Sequence, residues 1–258
     1  MRYFGEEGHS SQRAARALQT LDPYDAVVPI TRLPAEILLL IFSILNKIHP
    51  AGPGRSASKP TDLGWIAVSH VCRAWRTIAM DGRNLWGEIA LPLGETWVEE
   101  MIARASFAPL VISDRRCAYG YRWSPLQHER IGEHIGHTKS LELMSDFSPS
   151  LISRALARPA PILWRLSLLY SRHNPSFRIP DFPGNHAPFL AHLSLKNIHV
   201  PWTSPVLNNL VRLVVDFPML SNDHPILDEV LSALDTMHAL EVLHLHHYLP
   251  RYTHSSAT

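Results

Sequence analysis

The chain has 258 residues, of which 46% are hydrophobic, which is enough for one large or two small domains with buried cores. Its 24 lysines and arginines balance 23 aspartates and glutamates, so the charge pattern of a nucleic-acid binder is missing. Only two cysteines, Cys72 and Cys117, are present, which favours a reducing compartment over a disulfide framework. The first residues lack the pattern of a secretion signal. We therefore expect a cytoplasmic and/or nuclear protein.

Residues 1–29 are predicted to be a flexible leader. A helix is predicted to begin near Pro34, which needs no backbone N–H there, and Glu36 lies at the positive end of its dipole. Residues 37–45 include one polar residue, Ser43, so apolar side chains point in every direction and are expected to be covered on all sides. The run is too short to span a bilayer, which needs about 20 apolar residues.

A second helix is predicted from just after Thr61 and Asp62 to about Met80. The connection between the two helices, at about residues 47–61, is rich in glycine, proline and serine, and this composition predicts a solvated loop insertion. Two short helices cannot bury all their apolar surface against each other, and a patch that stays exposed usually marks an interaction site. A plain helical hairpin inside a core explains the same periodicity.

A resemblance to a known family favours the interaction site. Leu-Pro-Ala-Glu-Ile at 33–37, Val-Cys-Arg-Ala-Trp-Arg at 71–76 and Leu-Trp at 85–86 resemble an F-box, in particular the F-box-like proteins abundant in fungi. In that family a helical module docks on the Skp-type adaptor of a cullin–RING ubiquitin ligase, and the rest of the chain captures the substrate. The resemblance implies an F-box-like module at 30–86. It also implies adaptor contacts at Leu33, Pro34, Glu36, Ile37, Ile41, Phe42, Val71, Cys72 and Trp75.

Four later runs share the pattern Leu-x-x-Leu-x-Leu or a near equivalent, separated by 27, 20 and 30 positions. They are Leu163/Leu166/Leu168, Leu190/Leu193/Leu195, Leu210/Leu213/Val215 and Leu240/Leu243/Leu245. A weaker copy lies at Leu141/Leu143. The recurrence predicts strand-plus-return units whose alternate leucines point into a shared core. The units resemble degenerate leucine-rich repeats, which are about 20–29 residues long and commonly follow an F-box.

The predicted fold class is therefore α+β. A helical F-box-like module is expected to precede an irregular leucine-rich-repeat-like α/β solenoid over 87–258, without a full C-terminal cap. An ordinary α+β domain with alternating leucines is the alternative. In the repeat interpretation, the residues between the leucines share one face and are candidates for substrate binding, although solvation explains each one singly. These candidates are Arg165, Ser167, His192, Ser194, Lys196, Arg212, Asp216, His244 and His246.

The chain lacks the sequence motifs of the common hydrolase, nucleotide-binding and metalloprotease sites. Histidines cluster at His244, His246 and His247, and again at His128, His134 and His137, with spacings that a metal can use. With 16 histidines in the chain, such proximity is expected by chance, and no acidic or cysteine ligand lies at a suitable spacing. We therefore expect no enzyme activity, no metal and no cofactor.

The expected partners are a Skp-type adaptor, through it a cullin–RING ligase, and an unidentified protein substrate. Neither a nucleic acid nor a membrane is expected. The function that these partners imply is recruitment of a substrate to a ubiquitin ligase. A repeat scaffold unrelated to ubiquitin ligases and a histidine-based metalloenzyme are the alternatives.

Overall fold

The computed structural model describes residues 30, 33–56, 59–117, 122–144, 147–170, 177–178, 187–199, 201–217 and 225–247. The predicted leader at 1–29 lies outside these residues. The chain divides into two compact units, which we call unit 1 (Met1–Ala108) and unit 2 (Pro109–Thr258). The division falls later in the chain than residue 86, where the predicted F-box-like module ends. Helices and strands both occur and the first unit is mainly helical, in agreement with the α+β class.

Unit 1 begins with helix α1 (Ala35–Ile48), which starts directly after Pro34 as predicted. A hairpin of β1 (Gly52–Ser56) and β2 (Lys59–Asp62) follows. The remaining elements are a 3₁₀ helix (Gly64–His70), α2 (Arg73–Asp81), α3 (Arg83–Trp86), β3 (Glu88–Ile89), a 3₁₀ turn (Leu91–Leu93) and α4 (Glu95–Ala105). The predicted F-box-like helices are therefore α1 and the two helical segments between Gly64 and Asp81.

The continuous second helix that the sequence predicts is divided at Cys72, and this corrects the prediction. Cys72 has an extended backbone, with φ −154° and ψ 172°, so it separates the 3₁₀ helix from α2. Its Sγ accepts the backbone N–H of Trp75 at 3.5 Å. Because the first N–H groups of a helix have no partner within the helix, this contact caps α2 at its start.

The predicted loop insertion is not wholly irregular, because it contains the antiparallel β1–β2 hairpin, in which Gly52 pairs with Asp62. The hairpin packs against the 3₁₀ turn at Leu91–Leu93. Gly64, just after it, has φ +52°, and a Cβ there would lie 2.5 Å from the carbonyl carbon of Pro50. Only glycine fits this turn, which returns the chain to the helices.

Aromatic side chains form the centre of unit 1. The rings of Trp65 and Trp86 meet edge to face with centroids 4.9 Å apart, and both side chains are almost fully buried. The indole N–H of Trp86 donates to the carbonyl of Ala79 at 2.8 Å. The guanidinium of Arg104 lies 4.3 Å from the centre of the Trp86 ring. These contacts fix α2, α3 and α4 around one core.

Unit 2 is built around parallel strands. In chain order its main elements are β4 (Leu110–Ser113), α5 (Pro125–His134), β5 (Thr138–Leu143), α6 (Pro149–Leu156), β6 (Arg165–Leu169), β7 (Phe177–Arg178), β8 (His192–Lys196), β9 (Ile198–His199), β10 (Arg212–Asp216), α7 (Leu227–Thr236) and β11 (Val242–His246). Strands β4, β5, β6, β8, β10 and β11 lie side by side in one sheet, in chain order. Each pairs in parallel with the next.

The four leucine runs of the sequence lie in the four neighbouring strands β6, β8, β10 and β11. Their second residues, Leu166, Leu193, Leu213 and Leu243, form one row across the sheet. Their first residues, Leu163, Leu190, Leu210 and Leu240, each donate a backbone N–H to the carbonyl three positions earlier, at 3.1–3.3 Å. The sequence repeat is therefore also a repeat of backbone structure.

Candidate functional site

Helix α1 carries a stripe of exposed apolar side chains. We call it the α1 stripe, and it consists of Ile37 (43% exposed), Leu40 (56%), Ile41 (37%), Ile44 (50%) and Ile48 (72%). Residues three and four positions apart lie on the same side of a helix, so these side chains form one surface. Among the residues that the structure describes, the expected cover of α1 on all sides is supplied by the chain itself on one face only. The helix buries one face and exposes another.

The buried face of α1 includes Leu38 and Phe42, both 0% exposed. The Phe42 ring lies 5.1 Å from that of Trp75 in α2, centroid to centroid, so it belongs to the contact between the two helices. The adaptor contact that the resemblance implies for Phe42 stays a prediction, and in the chain alone this side chain is buried. Its side chain has no free surface here and supports the α1 stripe from beneath.

The other predicted adaptor contacts differ in accessibility. Pro34, Glu36, Ile37, Ile41 and Val71 are exposed, whereas Leu33, Cys72 and Trp75 are half-buried. Val71, in the turn before α2, is 62% exposed. Eight of the nine predicted side chains therefore keep accessible surface.

The α1 stripe includes three residues that the sequence did not identify as candidate adaptor contacts, namely Leu40, Ile44 and Ile48. The signal was present, because the three residues follow one another at intervals of four along the helix. It was hidden because nearly every neighbouring position is apolar as well, and uniform hydrophobicity gives no indication of which face stays uncovered.

Unit 2 has a second accessible surface, on one side of its parallel sheet. Buried and partly exposed residues alternate along β6, β8 and β10, so the leucines face the core and the residues between them face outward. We call the outward side the open face. All nine predicted substrate-face residues lie on it, namely Arg165, Ser167, His192, Ser194, Lys196, Arg212, Asp216, His244 and His246. Their functional role stays a prediction.

In the described part of unit 2, the open face carries two carboxylates, and both are paired with cations. Glu142 lies 3.4 Å from a guanidinium nitrogen of Arg165. Asp216 accepts from Lys196 Nζ at 2.8 Å and from His247 Nδ1 at 2.7 Å. Partial burial acts to raise the pKa of Asp216, but the hydrogen bonds from Lys196 and His247 outweigh it and hold this pKa below its ordinary value of 3.8.

A row of basic side chains crosses the open face where the strands begin. Arg165, His192 and Arg212 pair in register on the neighbouring strands β6, β8 and β10. Partial burial lowers the pKa of His192, and the positive charges of Arg165 and Arg212 lower it further. His192 is therefore mostly neutral at pH 7, while the arginines on either side are charged. The Trp164 ring lies 4.3 Å from that of His192.

The histidine clusters have other contacts in this structure. The His128 ring is buried and bridges two backbone groups, since Nδ1 lies 2.8 Å from the Ser124 carbonyl and Nε2 accepts from the Ser148 N–H at 3.0 Å. The rings of His244 and His246 stand 6.0 Å apart. Among the described residues, no group of three or more histidine, cysteine, aspartate or glutamate side chains is arranged to hold a metal ion.

Comparison with known proteins gives one match. Residues 30–92 match the model of a family described as F-box-like. The matched segment runs from the residues before α1 to the 3₁₀ turn at Leu91–Leu93 and includes the α1 stripe and Val71. Unit 1 thus contains an F-box-like domain, as the sequence predicts, and F-box domains typically bind Skp-type adaptors.

Neither the comparison with curated proteins nor the comparison with solved structures found a match for this chain. In the part of the chain that the structure describes, none of the helices is both long enough and apolar enough to cross a membrane.

Proposed function

We propose that the protein is a substrate-recruiting adaptor of a Skp–cullin–F-box ubiquitin ligase. The observation that carries this proposal is the α1 stripe, which lies within the segment that matches the F-box-like family. In the proposed complex, Ile37, Ile41 and Val71 contact the Skp-type adaptor. Leu40, Ile44 and Ile48 extend the contact along α1.

The physical argument concerns the free energy of the exposed apolar surface. Burial of such surface stabilises a complex by about 25 cal/mol per Å² removed from water. Soluble proteins rarely leave contiguous apolar patches uncovered unless a partner binds there. A helix that presents apolar residues at spacings of three and four suits a groove on a partner protein. A Skp-type adaptor is the partner that the F-box-like match favours.

The substrate is assigned to unit 2, which we propose to be a leucine-rich-repeat-like solenoid. The in-register leucine rows and the recurring backbone hydrogen bonds of the four runs support this. In this proposal the protein is not an enzyme and acts in the cytoplasm, the nucleus or both. It would raise the local concentration of a substrate near the ligase, which is a contribution of proximity.

The test measures adaptor binding after charge is introduced on the α1 stripe and, separately, at Val71. Ile41→Glu and Val71→Glu are the variants, and Phe107→Glu is the control, because Phe107 is 87% exposed but lies after α4, outside the segment that matches the F-box-like family. We expect each of the first two variants to weaken binding of a purified Skp-type adaptor at least about tenfold, which is about 1.4 kcal/mol. An unpaired charge in an apolar interface is costly. Isothermal titration calorimetry supplies the affinities.

Two results would contradict the proposal. One is that the wild-type chain binds no Skp-type adaptor. The other is that Phe107→Glu weakens binding as much as the α1 variant does. If unit 2 captures partners while adaptor binding is absent, the chain is a scaffold unrelated to ubiquitin ligases.

A further inference from the structure

We infer that the open face of unit 2 binds an extended acidic segment of a protein, with carboxylates held by the row of Arg165, His192 and Arg212. As a statement about the captured protein, this inference rests on the proposed function. As a statement about binding, it stands on unit 2 alone.

The accessibility of the sheet is the first step. Parallel sheets are usually covered on both sides, and their strands then read as continuous apolar runs. The strands of unit 2 instead alternate, so that Leu193 is 1% exposed while its neighbours His192 and Ser194 are only half-buried. Side chains between the leucines therefore reach solvent along several adjacent strands, and a partner can lie across them.

The second step is the charge of this surface. Among the residues that the structure describes, four cations, Arg115, Arg165, Lys196 and Arg212, face two carboxylates, Glu142 and Asp216. The difference is two positive charges on one side of the sheet, in a chain with a formal net charge of +1. A surface with this excess is complementary to an acidic partner.

The two arginines of the row differ in their present contacts. Arg165 uses one guanidinium nitrogen to contact Glu142 at 3.4 Å, and a guanidinium carries five N–H donors, so others are left for a ligand. Arg212 is exposed and forms no ion pair with any residue that the structure describes. A carboxylate bound to Arg212 would therefore displace no existing ion pair.

The spacing of the row indicates the form of the ligand. Neighbouring strands are about 4.8 Å apart, so the backbones of Arg165 and Arg212, with one strand between them, are separated by about 10 Å. In a polyproline II segment, residues three positions apart point to the same side and are about 9.3 Å apart. Two carboxylates at this spacing match two separated arginines better than a single phosphate does.

The rest of the surface allows a peptide to approach. Ser167 and Ser194 lie next to the row on the same face. Their side chains are small, so they leave space above the sheet for a peptide backbone. Trp164 is 40% exposed, and its ring lies 5.4 Å from the Arg165 guanidinium. It offers an apolar contact beside Arg165 and His192. Together these groups provide charge, hydrogen bonds and one aromatic side chain for an extended segment.

The experiment probes a synthetic peptide array with the labelled full-length chain. Peptides of varied background carry two glutamates three positions apart, and matched peptides carry two glutamines, two adjacent glutamates, or phosphoserine in place of glutamate. We expect the glutamate pair at a spacing of three to bind at least about fivefold better than the glutamine pair. This preference should weaken as the salt concentration rises from 0.05 to 0.5 M, because the Debye screening length falls from about 14 Å to about 4 Å over this range.

Charge reversal locates the site. Arg212→Glu should abolish the preference for glutamate, whereas Arg154→Glu, on an exposed position of α6, should keep it. If Arg212→Glu does not fold, the inference is tested on the wild-type chain alone, by the ratio of its binding to glutamate and glutamine peptides and by the salt dependence of that ratio. Equal binding of glutamate and glutamine peptides, binding of phosphoserine peptides alone, or an equal loss in both arginine variants would each overturn the inference. The peptide experiment contains no Skp-type adaptor. A negative result in it is therefore independent of whether unit 1 docks on an adaptor.

Discussion

Among the residues that the structure describes, unit 1 and unit 2 each leave one side of a secondary-structure element uncovered, but the chemistry of the two surfaces is opposite. The α1 stripe of unit 1 is made only of leucine and isoleucine. The open face of unit 2 turns most of its leucines inward and presents arginine, lysine, histidine, serine and paired carboxylates, with Leu169 and Val214 among them. The two surfaces therefore suit different kinds of partner.

The difference concerns what each surface contributes to binding. Apolar burial supplies affinity without strong directional preference, since it scales with the area removed from water. Charged groups contribute more to partner choice and to association rate, and salt weakens them. We therefore expect adaptor docking through α1 to be insensitive to salt and recognition through unit 2 to depend on it.

The largest expected effect distinguishes the buried from the exposed face of α1. Phe42→Ala should lower the free energy of unfolding by about 3–5 kcal/mol, because it removes a fully buried ring and leaves a cavity beside Trp75. Its neighbour Ile41, which is 37% exposed, should tolerate alanine at a cost of about 0.5 kcal/mol. Urea denaturation monitored by tryptophan fluorescence measures both values.

Adaptor binding supplies the control for this pair. Ile41→Ala should weaken binding although the chain stays folded, and Phe42→Ala should weaken it only to the extent that unit 1 unfolds. Equal stability losses in the two variants would mean that the division of α1 into a buried face and an exposed stripe is incorrect.

Much of this arrangement could be predicted from the sequence. Pro34 marked the start of α1, and the leucine runs marked β6, β8, β10 and β11, because a side-chain period of two assigns alternate residues to opposite sides of a strand. The same period placed Arg165 and His192 on one face before their register was known. Local geometry was sufficient for these inferences.

Other features depended on contacts that the sequence does not display. Residues 37–45 are apolar almost throughout, so only the packing of Phe42 against Trp75 distinguishes the covered side of α1. The break at Cys72 was missed because a thiol is not among the usual helix caps. The β1–β2 hairpin was missed because glycine, proline and serine are typical of loops and are depleted in strands.

An intermediate effect is expected at Asn197, which connects neighbouring strands of unit 2. Its side-chain amide donates to the Tyr170 carbonyl at 2.9 Å, and its backbone is left-handed, with φ +56°. Asn197→Ala loses the hydrogen bond and also strains the backbone, so we expect a loss of about 2 kcal/mol. Asn197→Gly loses only the hydrogen bond and should cost about 1 kcal/mol.

Urea denaturation of the two Asn197 variants measures the two losses in stability. Adaptor binding by unit 1 is the control, and we expect neither variant to change it. If glycine destabilises as much as alanine does, the left-handed backbone contributes nothing and only the amide matters. If neither variant changes stability, polar links between the strands are unimportant, and unit 2 depends on its leucine rows alone.

The smallest effect expected is the pH dependence of the Asp216 ion pairs. Because the folded-state pKa of Asp216 is held below its ordinary value of 3.8, its contribution to stability is present above that value. The contribution is lost as the pH falls through the folded-state pKa. It should be about 1 kcal/mol or less, since Lys196 is 48% exposed and solvent screens the pair.

The measurement is the difference in unfolding free energy between wild type and Asp216→Asn, taken at pH 7, 5 and 3. The difference should be largest at pH 7 and 5, shrink by pH 3, and fall with added salt at every pH. In a Lys196→Gln background it should be smaller throughout, since one of the two partners of the carboxylate is gone. A difference that grows between pH 5 and pH 3 would mean that burial, which raises the pKa of Asp216, outweighs its ion pairs, so that the ionised carboxylate destabilises the fold.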